Sequence, residues 1–228
     1  MLTLERIRLQ QGDFTLSTHC QIDAPGLVAV IGPSGGGKST LLSIIAGFEV
    51  PDAGRVLWNG TDLGPEAPGK RPVAVLFQDN NLFPHLDVLT NVALGASPRA
   101  RPSEAVKKQA REALARVGLA GFDARKPGEL SGGQQSRVAL ARVLTTDRPI
   151  VLMDEAFSAL GPAMRAEMIE LVKDLLPEAL VLMVTHDPED TRRWADRTIF
   201  VDNGRVHAPT PTGELFSDPP DGLRRYLN

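Results

Sequence analysis

The sequence predicts an α/β fold with a mostly parallel sheet, antiparallel strands at the N-terminus and a helical segment inserted into the chain. Short apolar runs of strand length recur at 27–31, 73–77, 150–153, 180–184 and 198–201. Helical stretches at 162–176 and 188–195 separate the last three runs. Strands that alternate with helices of this length form parallel sheets covered by helices. Between 88 and 144 the pattern is helical, which indicates an insertion.

The remaining elements follow from local patterns. Residues 2–10 and 14–22 alternate apolar and polar side chains, which predicts two half-buried strands before the first buried one. In the inserted segment, Ser103 begins a helix that Gly118 ends. Proline and glycine mark the expected mobile linkers, Pro98–Pro102 and the tail after Ala208.

Composition excludes several classes of protein. The chain has 228 residues, 42% hydrophobic and 23% charged, as in ordinary globular proteins. Its net charge of −3 argues against general binding to nucleic-acid phosphates. Cys20 is the single cysteine, so neither an intrachain disulfide nor a cysteine metal site is expected. The histidines lack metal-ligand spacing; they are His19, His85, His186 and His207.

No apolar run is long enough to cross a bilayer, and the first residues lack a basic-then-apolar signal pattern. We therefore expect a cytosolic chain that reaches a membrane only through a partner.

A glycine-rich motif follows the apolar run at 27–31. It reads Gly32-Pro33-Ser34-Gly35-Gly36-Gly37-Lys38-Ser39 and is followed by Thr40 and a helical stretch. This is the phosphate-loop pattern G-x-x-x-x-G-K-[ST] between a strand and a helix, where backbone N–H groups and the helix N-terminus attract phosphate. Lys38 would reach the outer phosphates of a nucleoside triphosphate, and the Ser39 hydroxyl would ligate Mg²⁺. The alternative is a glycine-rich turn that ends in Lys-Ser by chance, but the flanking strand and helix argue against it.

Two acids follow the apolar run at 150–153. Asp154 suits a role in holding Mg²⁺, and Glu155 could polarise the attacking water. The alternative is a pair of acids that merely solvate the end of a strand. A phosphate loop in the same chain favours the functional interpretation.

A third motif, Leu130-Ser131-Gly132-Gly133-Gln134, stands directly before a helical run, where Ser131 can act as N-cap. This pentapeptide, just upstream of Asp154-Glu155, resembles the signature of ATP-binding cassette (ABC) ATPases. Gln78 resembles the Q-loop glutamine of that family, and His186 resembles its switch histidine. The resemblance covers about Gly26 to Arg205. It implies a single ABC ATPase domain over 1–228, with a P-loop NTPase core (1–86 and 148–228) and a helical subdomain (87–147).

The resemblance also implies a mechanism. Two cassettes would pair head to tail as a homodimer, with each ATP between the phosphate loop of one copy and the signature of the other. Ser131 and Gly133 would then contact the γ-phosphate held by the partner copy. His186 would orient that phosphate and the attacking water, and Gln78 would link Mg²⁺ and the water to the transport partner.

The chain departs from the family pattern in four places. The aromatic residue that usually stacks on adenine is missing around Gln10–Gly12, and Phe14 is the nearest ring. Ala156 replaces a usual proline. Gly161 stands where the family has an aspartate that couples the two sites, and Ser136 replaces a common glutamine.

A lone acidic cassette of this length resembles the ATPase subunit of a transporter. The stretch Asn80-Asn81-Leu82-Phe83-Pro84-His85-Leu86 resembles the corresponding part of thiamine-importer ATPase subunits. The resemblance implies an integral membrane permease as partner, a periplasmic solute-binding protein acting through it, and a peripheral location on the cytoplasmic face of the inner membrane. Iron, polyamine and molybdate importers remain alternatives. So do a soluble nucleic-acid-associated ABC ATPase and a regulatory cassette with weak hydrolysis.

Overall fold

Strands and helices alternate along most of the chain. The computed structural model describes residues 1–99 and 101–227. The strands are β1 (Leu2–Gln11), β2 (Phe14–Ile22), β3 (Gly26–Ile31), β4 (Ala53–Trp58), β5 (Thr61–Asp62), β6 (Val73–Phe77), β7 (Ile150–Asp154), β8 (Leu180–Val184), β9 (Arg197–Asp202), β10 (Arg205–Val206) and β11 (Thr210–Pro211). The helices are α1 (Lys38–Ala46), α2 (Val88–Ala96), α3 (Glu104–Arg116), α4 (Gly132–Thr146), α5 (Pro162–Leu175), α6 (Pro188–Trp194), α7 (Thr212–Ser217) and α8 (Asp221–Leu227).

The chain divides into two compact units, Met1–Val73 with Glu178–Asn228, and Ala74–Pro177. In the first unit the strands follow the order β5-β4-β1-β2-β10-β9-β3-β8, and β11 pairs with β9. The N-terminal strands β1, β2 and β4 pair antiparallel, as predicted. Strand β3 lies between β8 and β9 and is parallel to both. The predicted antiparallel and parallel parts of the sheet are thus both present.

Strand β3 lies inside the sheet, and its side chains from Leu27 to Ile31 are all buried. Such a continuous apolar run suits a strand that is covered on both faces.

Helix α1 follows β3, and the side chain of a buried arginine, Arg71, contacts its last turn. Arg71 is only 3% exposed, and its guanidinium donates hydrogen bonds to the carbonyl oxygens of Ile44 (2.8 Å) and Ile45 (3.0 Å). A cation at this end satisfies the last carbonyl groups of the helix and favours its dipole.

In the second unit, β6 and β7 are neighbours in the sheet. Helix α4 packs against α2, α3 and α5. The Ser103 hydroxyl accepts a hydrogen bond from the Val106 N–H, so the predicted N-cap of α3 is present. Of the predicted linker 98–102, Ala100 lies outside the described residues. The predicted boundaries of the helical subdomain, 87–147, stay a prediction.

The tail after Ala208 corrects an expectation. It was expected to be a mobile linker, but it folds into β11, α7 and α8. The reason is burial, since Leu215 and Leu223 are 8% and 0% exposed. Helices of six and seven residues show too few turns for a clear sequence period, so this pattern was missed.

Candidate nucleotide site

The phosphate loop connects β3 to α1 in the first unit. Gly32, Gly36 and Gly37 are buried, whereas Ser34 and Gly35 are exposed. Gly32 has a φ of +148°, and a Cβ atom there would collide with the carbonyl oxygen of Val201. Glycine is therefore required where the chain leaves β3. The loop then reaches the N-terminus of α1, where the helix dipole favours an anion.

Lys38 is folded back onto this loop. It is 8% exposed, and its ammonium group donates hydrogen bonds to the carbonyl oxygens of Gly32 (2.7 Å) and Pro33 (2.9 Å). A buried cation is tolerated only with such partners. The same ammonium group is thus held beside the loop that would receive a phosphate. Ser39 and Thr40 follow Lys38 in the first turn of α1, where Ser39 is exposed and Thr40 is half-buried.

The ring of Phe14 lies against the last glycine of the loop. A Cβ atom on Gly37 would lie 2.9 Å from Cζ of this ring. Phe14 is half-buried at the start of β2. Phe14, the aromatic residue nearest in sequence to the expected adenine-stacking position, therefore contacts the phosphate loop.

His186 stands at the same edge of the sheet as the phosphate loop. Val30 of β3 and Val184 of β8 are paired in a parallel register, and the Thr185 N–H donates to the Val30 carbonyl (3.3 Å). The loop and His186 both follow the carboxyl ends of these neighbouring strands, which is where open α/β sheets bind ligands. The His186 side chain is exposed.

In the second unit, Asp154 ends β7 and Glu155 follows it in an unusual conformation. Glu155 has a φ of +49°, in the left-handed region that residues with a side chain seldom adopt. Its carbonyl accepts a hydrogen bond from the Ser158 N–H (3.0 Å). Ala156 and Phe157 are 5% and 4% exposed, so buried side chains fix the turn just after it. Strained backbone that its surroundings hold in place is typical of active sites.

Gln78 follows β6 and is exposed. The segment after it contains two left-handed asparagines, Asn80 (φ 59°) and Asn81 (φ 46°). Arg142 of α4 holds both, because its guanidinium donates to the carbonyl oxygens of Asn80 (2.8 Å) and Asn81 (2.7 Å). Burial lowers the pKa of Arg142, and the nearby charge of Asp79 opposes this. No sequence motif marks Arg142, because its contacts with Asn80 and Asn81 join residues about 60 positions apart.

Asn91 fixes the next part of the same segment. It is 0% exposed, and its amide oxygen accepts from the Phe83 N–H (2.8 Å). Its amide nitrogen donates to the carbonyl oxygens of Phe83 (3.1 Å), Leu86 (3.2 Å) and Asp87 (3.0 Å). Asn91 therefore fixes the second half of the stretch 80–86, and Arg142 fixes its start.

The signature motif forms the N-terminus of α4. The Ser131 hydroxyl accepts from the Gln134 N–H (3.3 Å), and the Gln134 amide oxygen accepts from the Ser131 N–H (3.0 Å), which is a capping box. The N-cap predicted at Ser131 is confirmed. Gly132 is exposed, but Gly133 is buried, and a Cβ atom there would collide with the sulfur of Met164. Ser136 is buried, and its hydroxyl donates to the Gly132 carbonyl (3.2 Å).

Gly161 is the N-cap of α5 and makes no side-chain hydrogen bond to the helix. Its Cβ position faces open space, with no atom within 4 Å. Glycine in place of the family's aspartate therefore leaves the N-terminus of α5 without a side-chain cap, and no atom of the described residues requires a glycine there.

Within the described ranges, no three or more His, Cys, Asp and Glu side chains are arranged to hold a metal ion. Nor does the described part of the chain contain a helix with the length and apolar character to span a membrane.

Comparison with known proteins identifies the family. The family model described as "ABC transporter" matches residues 17–158, which include the phosphate loop, the signature and Asp154-Glu155. The chain belongs to the ABC transporter family. It is therefore an ABC ATPase that binds and hydrolyses ATP, and the fold class and family predicted from the motifs are confirmed.

Relatives of this ABC ATPase match over its full length. It is 58% identical over 229 residues to the thiamine import ATP-binding protein ThiQ of Cereibacter sphaeroides, covering 100% of this chain and 99% of that protein. It is 55% identical over 231 residues to the protein of the same name from Ruegeria sp., with the same coverage.

Solved ABC structures agree with the fold. A dimeric structure of MJ0796, a bacterial ABC transporter cassette, matches with a TM-score of 0.77 and 30% identity, over 93% of this chain and 99% of that one. A dimeric post-hydrolysis state of MJ0796 bound to ADP and Pi matches with a TM-score of 0.76, 30% identity and the same coverage.

Proposed function

We propose that this chain is the ATP-hydrolysing subunit of a thiamine importer. The observation that carries the proposal is the 58% identity over the whole chain to a thiamine import ATP-binding protein. The segment held by Arg142 and Asn91 adds support, because its asparagines and Phe83 belong to the stretch that resembles thiamine-importer subunits. Thiamine itself would not contact this subunit, because the permease that the subunit serves would carry it across the membrane.

The residues have the following proposed roles. The loop Gly32–Gly37 and the first turn of α1 (Lys38, Ser39, Thr40) bind the phosphates of ATP. Glu155 accepts a proton from the attacking water. The buried residues that follow it fix its backbone and thereby position its carboxylate. His186 orients the γ-phosphate and the water from its place beside the loop.

Mg²⁺ fits the residues assigned to it. Ser39, Gln78 and Asp154 supply a hydroxyl, an amide oxygen and a carboxylate, which are the hard oxygen donors that Mg²⁺ prefers. A site with so few protein ligands suits an ion that arrives with the phosphates of a nucleotide. When bound, the ion would neutralise negative charge that develops on the phosphate oxygens.

The subunit would work as a homodimer. The N-terminus of α4 would contact the nucleotide held by the partner copy. The residues involved would be Ser131, Gly132, Gly133 and Gln134. A dimeric cassette among the similar structures supports this arrangement. The dimer would lie at the cytoplasmic face of the inner membrane, beneath an integral permease that receives solute from a periplasmic binding protein.

Uptake of labelled thiamine tests the proposal in cells that lack this chain. The natural protein should restore uptake, whereas Lys38→Ala and Glu155→Gln should not. Exposed Glu170 offers a matched control, and Glu170→Gln should restore uptake fully. Unchanged uptake in the deletion strain, with loss of labelled iron, spermidine or molybdate uptake instead, would contradict the thiamine assignment. ATPase activity stimulated by DNA or RNA would instead favour a nucleic-acid-associated ATPase.

A further inference from the structure

A basic cavity lies on the strands β1, β2 and β10 of the first unit. Its volume is about 450 Å³, and none of its lining residues belongs to the proposed nucleotide site. Two arginines, two histidines and a serine line it with exposed or half-buried side chains, namely Arg6, Arg205, His19, His207 and Ser17. Thr18 also borders it, but this residue is buried and its hydroxyl donates to the Val206 carbonyl (3.2 Å). This volume is large enough for a small organic ligand.

A β-bulge aims Arg6 at this cavity. Leu4 pairs with Cys20 and Ile7 with Thr18, so two residues of β1 stand opposite the single residue His19. Arg6 has a φ of +50°, which an arginine rarely adopts. Bulges redirect side chains and are common beside binding sites, and such a conformation persists only where the surrounding structure fixes it.

The bulge also sets the tautomer of the neighbouring His19 ring. The Arg6 N–H donates to Nδ1 of His19 (3.3 Å), so the proton of the neutral ring lies on Nε2, which is left as a donor. On the other side of β2, Arg205 pairs with Ser17 in a parallel register, and their side chains share one face of the sheet. The cavity therefore collects donors from three adjacent strands.

The charges in and around the cavity are unbalanced. No carboxylate lines it. Among residues 1–99 and 101–227, the side chains of Arg6 and Arg205 take part in no ion pair, whereas nearby Arg55 is paired with Glu5. Burial and the charge of Arg205 lower the pKa of His207, and Asp202 opposes them. Burial is the larger cause of this shift. An anion is favoured by the two guanidinium groups, which have no ion-pair partner among the described residues, and by the lack of a lining carboxylate.

We propose that this cavity binds a small phosphorylated molecule, with Arg6 and Arg205 as partners of its phosphoryl group. Guanidinium groups match phosphate geometry through paired N–H donors, and two of them suit a dianion. Nε2–H of His19 and the Ser17 hydroxyl are further donors. The volume leaves room for the organic part of the ligand beyond its phosphoryl group.

Histidine resonances test this site separately from the nucleotide site. Full-length, ¹⁵N-labelled protein is saturated with ADP and Mg²⁺ and titrated with inorganic phosphate. The imidazole signals of His19 and His207 should shift saturably, His85 should not shift, and His186 reports any phosphate that reaches the nucleotide site. Absence of a saturable shift at His19 and His207 would overturn the proposal.

Three variants make the test specific. Arg6→Asn keeps a residue that tolerates left-handed backbone and removes the guanidinium, and Arg205→Gln removes the second one. Each should weaken phosphate binding about tenfold, as expected for losing one charge-assisted donor. The control Arg197→Gln removes an exposed arginine of β9 that lies outside the cavity and should leave affinity nearly unchanged. An equal loss in all three variants would show a general charge effect and overturn the proposal.

A lipid headgroup offers the same phosphoryl chemistry, so vesicles form a second arm. Vesicles of phosphatidylcholine with phosphatidic acid are compared with vesicles of phosphatidylcholine alone. Binding to the former that Arg6→Asn and Arg205→Gln abolish would assign the phosphoryl group to a lipid. Phosphate binding without such vesicle binding would assign it to a free small molecule.

Discussion

The hydroxyl of Tyr226 donates a hydrogen bond to the backbone carbonyl of His186, with an O···O distance of 3.1 Å. Tyr226 lies in α8, the last helix of the chain, and His186 directly follows Thr185 after β8. The two residues are 40 positions apart in sequence. The C-terminal helix therefore contacts the backbone of the residue that we propose orients the attacking water.

Tyr226→Phe should lower kcat for ATP hydrolysis about fivefold and leave KM for ATP nearly unchanged, because one neutral hydrogen bond contributes about 1 kcal/mol. The ring is retained, so packing of α8 is preserved. Steady-state ATPase assays of the full chain measure both constants. Arg224→Gln, on the same helix and exposed, should leave kcat unchanged. A kcat equal to that of the natural protein in Tyr226→Phe would contradict a positioning role.

Glu155→Gln should bind ATP normally but hydrolyse it at least about 100-fold more slowly, because the amide cannot accept a proton from water. ATP would then accumulate in a stable dimer. Single-turnover hydrolysis and size-exclusion chromatography with ATP measure the two effects. Normal hydrolysis would show that Glu155 is not the general base, and Glu170→Gln serves as the matched control.

Lys38→Ala should raise the Kd for ATP about tenfold to 100-fold, as expected for losing a charge-assisted contact to phosphate. Titration with a fluorescent ATP analogue measures the affinity. The exposed Lys108 gives a control of equal charge, and Lys108→Ala should bind ATP as the natural protein does. Tight binding by Lys38→Ala would argue against the phosphate-loop assignment.

Asn91→Ala should lower the free energy of unfolding by about 2–4 kcal/mol, because the Phe83 N–H and three carbonyl groups lose their buried partner. Urea denaturation measures the change. The exposed Gln21 provides a comparison, and Gln21→Ala should change stability by less than about 0.5 kcal/mol. A similarly small effect at Asn91 would mean that water readily replaces its hydrogen bonds.

Gly161→Asp should be about 1 kcal/mol more stable than Gly161→Ala, because the carboxylate can accept hydrogen bonds from the first turn of α5 and alanine cannot. Comparing these two variants cancels the lower flexibility that both share relative to glycine. Thermal unfolding measures the difference. Equal stability would show that the start of α5 is already satisfied by water.

Local signals made most of the fold predictable. Apolar runs of four or five residues marked β6, β7 and β8, and glycine spacing marked the phosphate loop, because each depends on residues close together in sequence. Long-range relationships were not predictable. The bulge at Arg6 depends on the register between β1 and β2, and the contact of Tyr226 with His186 depends on where a short helix packs. Asn91 is a further case, since nothing in a sequence distinguishes a buried asparagine from an exposed one.

The position of β3 between β8 and β9 has a consequence for synthesis on the ribosome. Both hydrogen-bonding neighbours of β3 lie near the other end of the chain. They leave the ribosome only after about 150 further residues have been translated, which takes roughly ten seconds or more at typical elongation rates. Until then the strand that leads into the phosphate loop has two unpaired edges, which are prone to aggregation. The sheet around the phosphate loop can therefore be completed only after the C-terminal strands have been synthesised, so nucleotide binding is expected late in the synthesis of the chain.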